Sequence, residues 1–177
     1  MATQPIGDPY VTVQEYLTSS YEPDLEYVDG RLEDRNVGEH DHGYLQTLLA
    51  TIFTVNRKAW GVYAVTDVRT QIQSSRFRVP DVSVLPATGP REAIITHPQL
   101  IAIEILSPDD RLSRLQERID DYLIFGVENI WIFDPQRRRA WTADNSGLHL
   151  VPSRELTVPG TPIRIDLQEL FAELDHL

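Results

Sequence analysis

Val79-Pro80-Asp81-Val82-Ser83-Val84-Leu85 and Leu100-Ile101-Ala102-Ile103-Glu104-Ile105-Leu106-Ser107 decide how the rest of the chain is read. Each run is short, rich in β-branched residues and bounded by Pro, Gly or Ser, which predicts two strands. Each also carries one acid that a core has no use for. A buried carboxylate is costly unless it is paired or metal-bound, so either acid alone reads most simply as an edge or solvent-facing residue. Glu104 resists that reading, because it lies in the most continuously apolar run of the chain, the pattern of a strand covered on both faces. Two such acids on neighbouring strands would make a hard, oxygen-rich site suited to Mg²⁺ or Mn²⁺.

Working outward, Val62 to Val65, Val68 to Gln73 and Phe77 to Leu85 read as successive strands. Before them, Tyr44, Leu45, Leu48, Leu49, Ile52, Phe53 and Val55 recur at helical spacing, predicting a helix from about Gly43 to Ala59. Asp29-Gly30 between short runs signals a hairpin, and Thr12 with Glu15 signals the start of a short helix. Downstream, Pro86 to Pro98 reads as a loop with at most a short helical piece around Arg91 to Ile95. Asp109 and Asp110 then open a helix, suiting its positive end, and Gly126 closes it. A buried strand at Ile130 to Phe133 follows, then a hairpin of Arg139 to Ala143 and Leu148 to Val151. Ile163 to Ile165 is a last strand, and Asp166 with Glu169 caps a terminal helix. This order predicts an α/β fold with a mixed central β-sheet flanked by helices.

The 177 residues carry a net charge of −11 and no cysteine. Length predicts one domain over 1–177, with its core from about residue 11. Disulfides and thiolate zinc sites are excluded. No apolar run approaches the ~20 residues of a membrane span, so a soluble, cytoplasmic protein with no membrane partner is expected. The acidic balance argues against a general nucleic-acid-coating surface but not against a local basic cleft. Fifteen of the sixteen basic residues are arginines, and Lys58 is the one lysine.

On the helix after Asp110, Leu112, Leu115, Ile119 and Tyr122 form a core-facing stripe, with Arg111, Arg114, Arg118 and Asp121 on an adjacent one. That second stripe is either a solvated face, with pairs such as Arg114 to Asp121 or Glu117, or a way to bring Arg118 beside the acids. Glu39-His40-Asp41-His42 offers a weaker transition-metal possibility, a plain exposed loop being the commoner reading. Arg137-Arg138-Arg139 reads as a turn into a hairpin, or else as a phosphate contact.

Pro80-Asp81 followed by a strand containing Glu104 resembles the PD-(D/E)XK nuclease superfamily, whose fold is restriction-endonuclease-like. More closely, the chain resembles the Uma-two family of restriction endonucleases. The match runs through Leu25-Glu26-Tyr27-Val28-Asp29-Gly30, His42 to Gln46, Arg78-Val79-Pro80-Asp81-Val82, Ile103-Glu104-Ile105-Leu106-Ser107-Pro108 and Tyr122 to Pro135. The resemblance implies a Mg²⁺- or Mn²⁺-dependent endonuclease acting on nucleic acid, DNA first, at a local cleft. Asp81, Glu104 and the Ile105 carbonyl would hold the metal, with Glu26 an acid near the site and His42 at its rim. The superfamily lysine, two residues after the glutamate, is here Leu106. The lysine that Uma-two relatives carry on the next helix, four before the tyrosine, is Arg118. Arginine stays protonated and is no general base, but it binds phosphate through two donors. Besides the endonuclease, two further readings stand: a nuclease-fold binding or regulatory protein without turnover, and a small-molecule phosphodiesterase. Cutting both strands of a duplex would favour a homodimer.

Overall fold

The computed structural model describes residues 10–35 and 39–176. In chain order these form α1 (Val13–Thr18), β1 (Glu26–Val28), β2 (Arg31–Glu33), α2 (His40–Trp60), β3 (Val62–Thr66), β4 (Thr70–Gln73), β5 (Arg76–Arg78), β6 (Val82–Pro86), β7 (Ile101–Ile105), α3 (Leu112–Phe125), β8 (Asn129–Asp134), β9 (Arg139–Asp144), β10 (Gly147–Leu150), β11 (Glu155–Thr157), β12 (Arg164–Asp166) and α4 (Leu167–Asp175). The central sheet runs β10-β9-β8-β7-β6-β3, and β1, β2, β4 and β5 form a smaller one in the order β2-β1-β5-β4. Only the β7–β8 pair of the central sheet is parallel, which is why the long crossover α3 lies between those strands.

Alternation along β7 divides the molecule. Ile101, Ile103 and Ile105 face the larger core, where Leu45, Leu49 and Phe53 of α2 and Leu170, Phe171 and Leu174 of α4 pack on Trp131 and Phe133. Ala102 faces the other way, into the core that Leu115, Ile119 and Tyr122 of α3 make with Ile130 and Ile132. Glu104 has the parity of Ala102, so it faces α3. The expected mixed sheet flanked by helices is the observed one.

Most termination signals act as read. The Thr12 hydroxyl accepts the Glu15 N–H at 3.1 Å, and Asp29 and Gly30 take φ of 48° and 96° in the β1–β2 turn. Asp166 accepts the N–H groups of Gln168 at 2.9 Å and Glu169 at 3.0 Å, a cap worth about 1 kcal/mol. Three expectations are corrected and one, the loop after β6, is narrowed. Phe77 to Leu85 is not one strand: β5 ends at Arg78 in the small sheet, β6 starts at Val82 in the central one, and Val79-Pro80-Asp81 crosses between them. Pro80 has no N–H for a ladder, so the break falls there. The loop after β6 contains no helix; Ile95 instead bridges Thr70. Asp109 and Asp110 precede α3 rather than entering its first turn, and Asp110 accepts the Ser107 N–H at 2.6 Å. Leu112 is 75% exposed and leaves the core stripe to the other three residues. Among the described residues no helix is long and apolar enough to cross a membrane.

Candidate active site

The β6–β7 register pairs Val82 with Ile103 and Ser83 with Ala102. Asp81 immediately precedes the last paired residue of β6 and Glu104 immediately follows its partner in β7, and the two acids line one cleft. A residue in an antiparallel ladder turns its N–H and C=O toward the same neighbour. The Ile105 N–H donates to Asp81 Oδ2 at 2.7 Å, so its carbonyl faces the same side as Asp81. Glu26, His42, Asp81, Glu104, Ile105 and Arg118 all line one small cleft, together with Arg35, Val79, Ser107 and Asp110. Its free space of about 20 Å³ holds about one water-sized occupant.

Each acid has its own guanidinium. Arg35 donates to Asp81 Oδ1 at 2.8 Å and to Asp67 Oδ1 at 2.7 Å, while Gln46 ties Asp67 to the Asp81 carbonyl, 2.9 Å to each. Arg118 Nε stands 3.0 Å from Glu104 Oε2, but its N–H is not aimed at that oxygen and finds no hydrogen-bond partner. Tyr122 donates to Glu104 Oε1 at 2.5 Å, and His42 Nε2 lies 3.4 Å from Asp81 Oδ2. Burial pushes the Asp81 carboxyl up, yet His42, Arg35 and the Ile105 N–H hold it below the usual carboxylate range. His42 is lowered by burial and more than restored by Asp81, ending above its ordinary value. Glu104 goes the other way: burial, against the opposing pull of Arg118 and with Asp81 and Glu26 adding to it, pushes it up to about 7. The two acids differ because Asp81 is ringed by donors and Glu104 is not.

Glu26 is in the cleft wall, but both its oxygens are taken, by Arg78 Nη1 at 2.7 Å and the Val79 N–H at 3.1 Å. Arg78, 1% exposed, also donates from Nε to Asp121 of α3 at 2.6 Å and from Nη1 to Glu33 at 3.0 Å. This buried cluster pins β1, β5 and α3 together just before the chain crosses to Asp81. Asp121 therefore faces Arg76 and Arg78, at 2.8 Å and 2.6 Å, rather than Arg114. Arg35, Gln46, Asp67, Arg78 and Tyr122 as a hydrogen-bond donor escaped the sequence reading. Arg78 next to Pro80-Asp81 was the available signal.

A family model described as "Putative restriction endonuclease", Uma2, matches residues 13–158. The chain belongs to the Uma2 family. A solved "putative nuclease belonging to DUF820 from Anabaena variabilis ATCC 29413" is 22% identical with a TM-score of 0.79, covering 93% of this chain and 99% of that one. At that identity it shows the shared fold. A weaker likeness, to the DrdV–DNA complex, has 13% identity and a TM-score of 0.43 over 76% of this chain and 11% of that one. No curated protein matches. The donor set of this Uma2 chain fits a hard divalent cation: the carboxylates of Asp81 and Glu104 and the backbone of Ile105 line one cleft and offer oxygen. Beside them the buried Arg118 Nε has no hydrogen-bond partner. The His40–His42 alternative is not supported. His40 Nδ1 lies 3.5 Å from Asp41 on an exposed side chain while His42 turns to Asp81; among the described residues no group of three His, Asp or Glu with metal-holding geometry is present, at this site or at Asp81 and Glu104. The basic run is a turn: Arg137 pairs with Asp134 at 2.9 Å and Arg138 with Asp175 at 2.7 Å.

Proposed function

We propose that this protein is a Mg²⁺- or Mn²⁺-dependent endonuclease that hydrolyses phosphodiester bonds, with DNA as its first substrate. One observation carries the reading: Asp81, Glu104, Ile105 and Arg118 line one small cleft where the end of β7 meets the start of β6. Asp81, Glu104 and Ile105 would hold the cation, which when bound would polarise a phosphoryl oxygen and acidify a water. Arg118, fixed charged by the carboxylates around it despite its burial, would take a non-bridging phosphate oxygen and offset the charge that grows there. Tyr122 fixes the orientation of Glu104, and His42 and Arg35 that of Asp81. An adjoining cleft of about 250 Å³ shares Ser107 and Asp110 and carries Arg111 and Arg137. Its Arg111 is the cation there that would meet a phosphate of the backbone, Arg137 being paired with Asp134. A homodimer would bring a second site to the opposite strand.

The test is cleavage of plasmid DNA and of single-stranded RNA in Mg²⁺ and in Mn²⁺. Wild-type protein is expected to cut in metal and not in EDTA, and Asp81→Ala to lose at least about a hundredfold, more than the loss of a residue that only orients a ligand. Absence of any cutting by pure, folded wild-type protein defeats the proposal. A second reading, a nuclease-fold binding protein without turnover, is favoured by a particular feature: each acid already has an arginine partner, at 2.8 Å and 3.0 Å. It expects an inert wild type that binds nucleic acid, and an Arg118→Lys variant that gains cleavage.

A further inference from the structure

An apolar cavity of about 420 Å³ lies at the far end of β6 from Asp81, on the β3 edge of the central sheet. In the β3–β6 register Tyr63 sits opposite Leu85 and Val65 opposite Ser83. Tyr63, Val65 and Leu85 therefore project from one sheet face and floor the cavity. Pro90, Ile95 and Pro98 of the following loop form its wall.

That wall is pinned in place. Ala87 N–H donates to the Gly61 carbonyl at 2.8 Å, Gly89 N–H to Pro86 at 3.0 Å, Ile95 N–H to Arg69 at 2.9 Å, and Gln71 N–H to Ile95 at 2.8 Å. Glu92 closes the loop on itself by accepting the Thr96 N–H at 3.1 Å. A preformed, mostly apolar hollow with few polar groups is how small-molecule sites are built, typically at ~300–1,000 Å³. The polar groups here sort by whether they are already used. Glu92 lies 3.0 Å from His97 Nδ1 and also binds Thr96. Arg91, by contrast, lines the cavity and makes no ion pair among the described residues.

We propose that this cavity binds a small apolar anion, an aromatic or short-chain carboxylate. Its hydrocarbon part lies against Tyr63, Val65, Leu85 and Ile95, and its charge meets Arg91. The assignment stands apart from the nuclease reading, since none of these residues lines the acid cleft.

The experiment is calorimetric titration of the full chain with 1-naphthoate and with its neutral counterpart 1-naphthamide. Wild-type protein should bind naphthoate saturably, one to one. Arg91→Gln, an exposed change that leaves the core alone, should weaken naphthoate about tenfold, the worth of a charge-assisted hydrogen bond, without changing naphthamide. Val65→Trp, which fills the cavity, should abolish both while circular dichroism stays that of the wild type. No saturable binding of naphthoate to the wild type, wild-type affinity in a folded Val65→Trp protein, or an Arg91→Gln protein that binds naphthoate undiminished each overturns the assignment.

Discussion

Two buried charge clusters lie side by side against α3, and they are wired differently. Around Arg78 acids and bases alternate: Asp29, Arg76, Asp121, Arg78 and Glu26 are linked in sequence by contacts of 2.6 to 2.8 Å. Around Asp81 and Glu104 two acids stand where the end of β7 meets the start of β6, and Glu104 is left protonating near neutrality. The first arrangement interleaves opposite charges and so ties β1, β5 and α3 to one another. The second sets two carboxylates in one cleft, so that burial and the neighbouring acids raise one of them.

The largest effect should come from breaking the alternating cluster. Arg78→Met removes the shared partner of Glu26 and Asp121 and leaves two carboxylates buried without it. Breaking a buried ion pair from one side costs about 3–5 kcal/mol, which urea unfolding would read directly. An unfolding midpoint equal to wild type would mean that this cluster does not hold β1, β5 and α3 together.

Glu104→Gln should give a different balance. It removes an acid whose ionisation burial opposes and keeps its size and an acceptor for Tyr122. It also takes one partner from Arg118, so the loss of stability should be smaller than that of Arg78→Met, about 1–2 kcal/mol. Cleavage, in contrast, should fall by at least about a hundredfold. A Glu104→Gln protein destabilised as much as Arg78→Met would erase the distinction between the clusters.

The sequence carried the acids of both clusters but only half of their wiring. Asp81 and Glu104 were legible because a carboxylate contradicts a run such as Ile103-Glu104-Ile105, and contradiction with a local pattern is visible without coordinates. Arg118 was legible because the helix carrying its charged stripe follows directly from Glu104 and Ser107, and because it occupies the position of the lysine that the Uma-two resemblance implies. Arg78 was not, because an arginine ahead of a strand has no pattern to contradict, and its partners Glu26 and Asp121 come from distant segments. The β5–β6 break was hidden for a related reason. Phe77 to Leu85 alternates well enough for one strand, and only the pairing of Phe77 with Tyr27 and of Val82 with Ile103 assigns its halves to different sheets. The helix and turn ends needed no such information, since Thr12, Asp29-Gly30, Gly126 and Asp166 act through their own backbone.

The smallest effect sharpens the comparison from outside both clusters. Arg114 is on α3 four residues before Arg118, in the same charged stripe, yet it is exposed and makes a long 3.5 Å approach to the Asp34 carbonyl. If charge on this helix mattered as a general property of the stripe, Arg114→Ala would weaken cleavage and stability as Arg118 or Asp121 substitutions do. If burial beside the acids is what matters, Arg114→Ala should change stability by less than about 0.5 kcal/mol and leave the metal-dependent rate at wild type. Measured together, unfolding and cleavage of this variant separate a helix that is merely basic from one that delivers two particular side chains, Arg118 and Asp121, to two differently built neighbours.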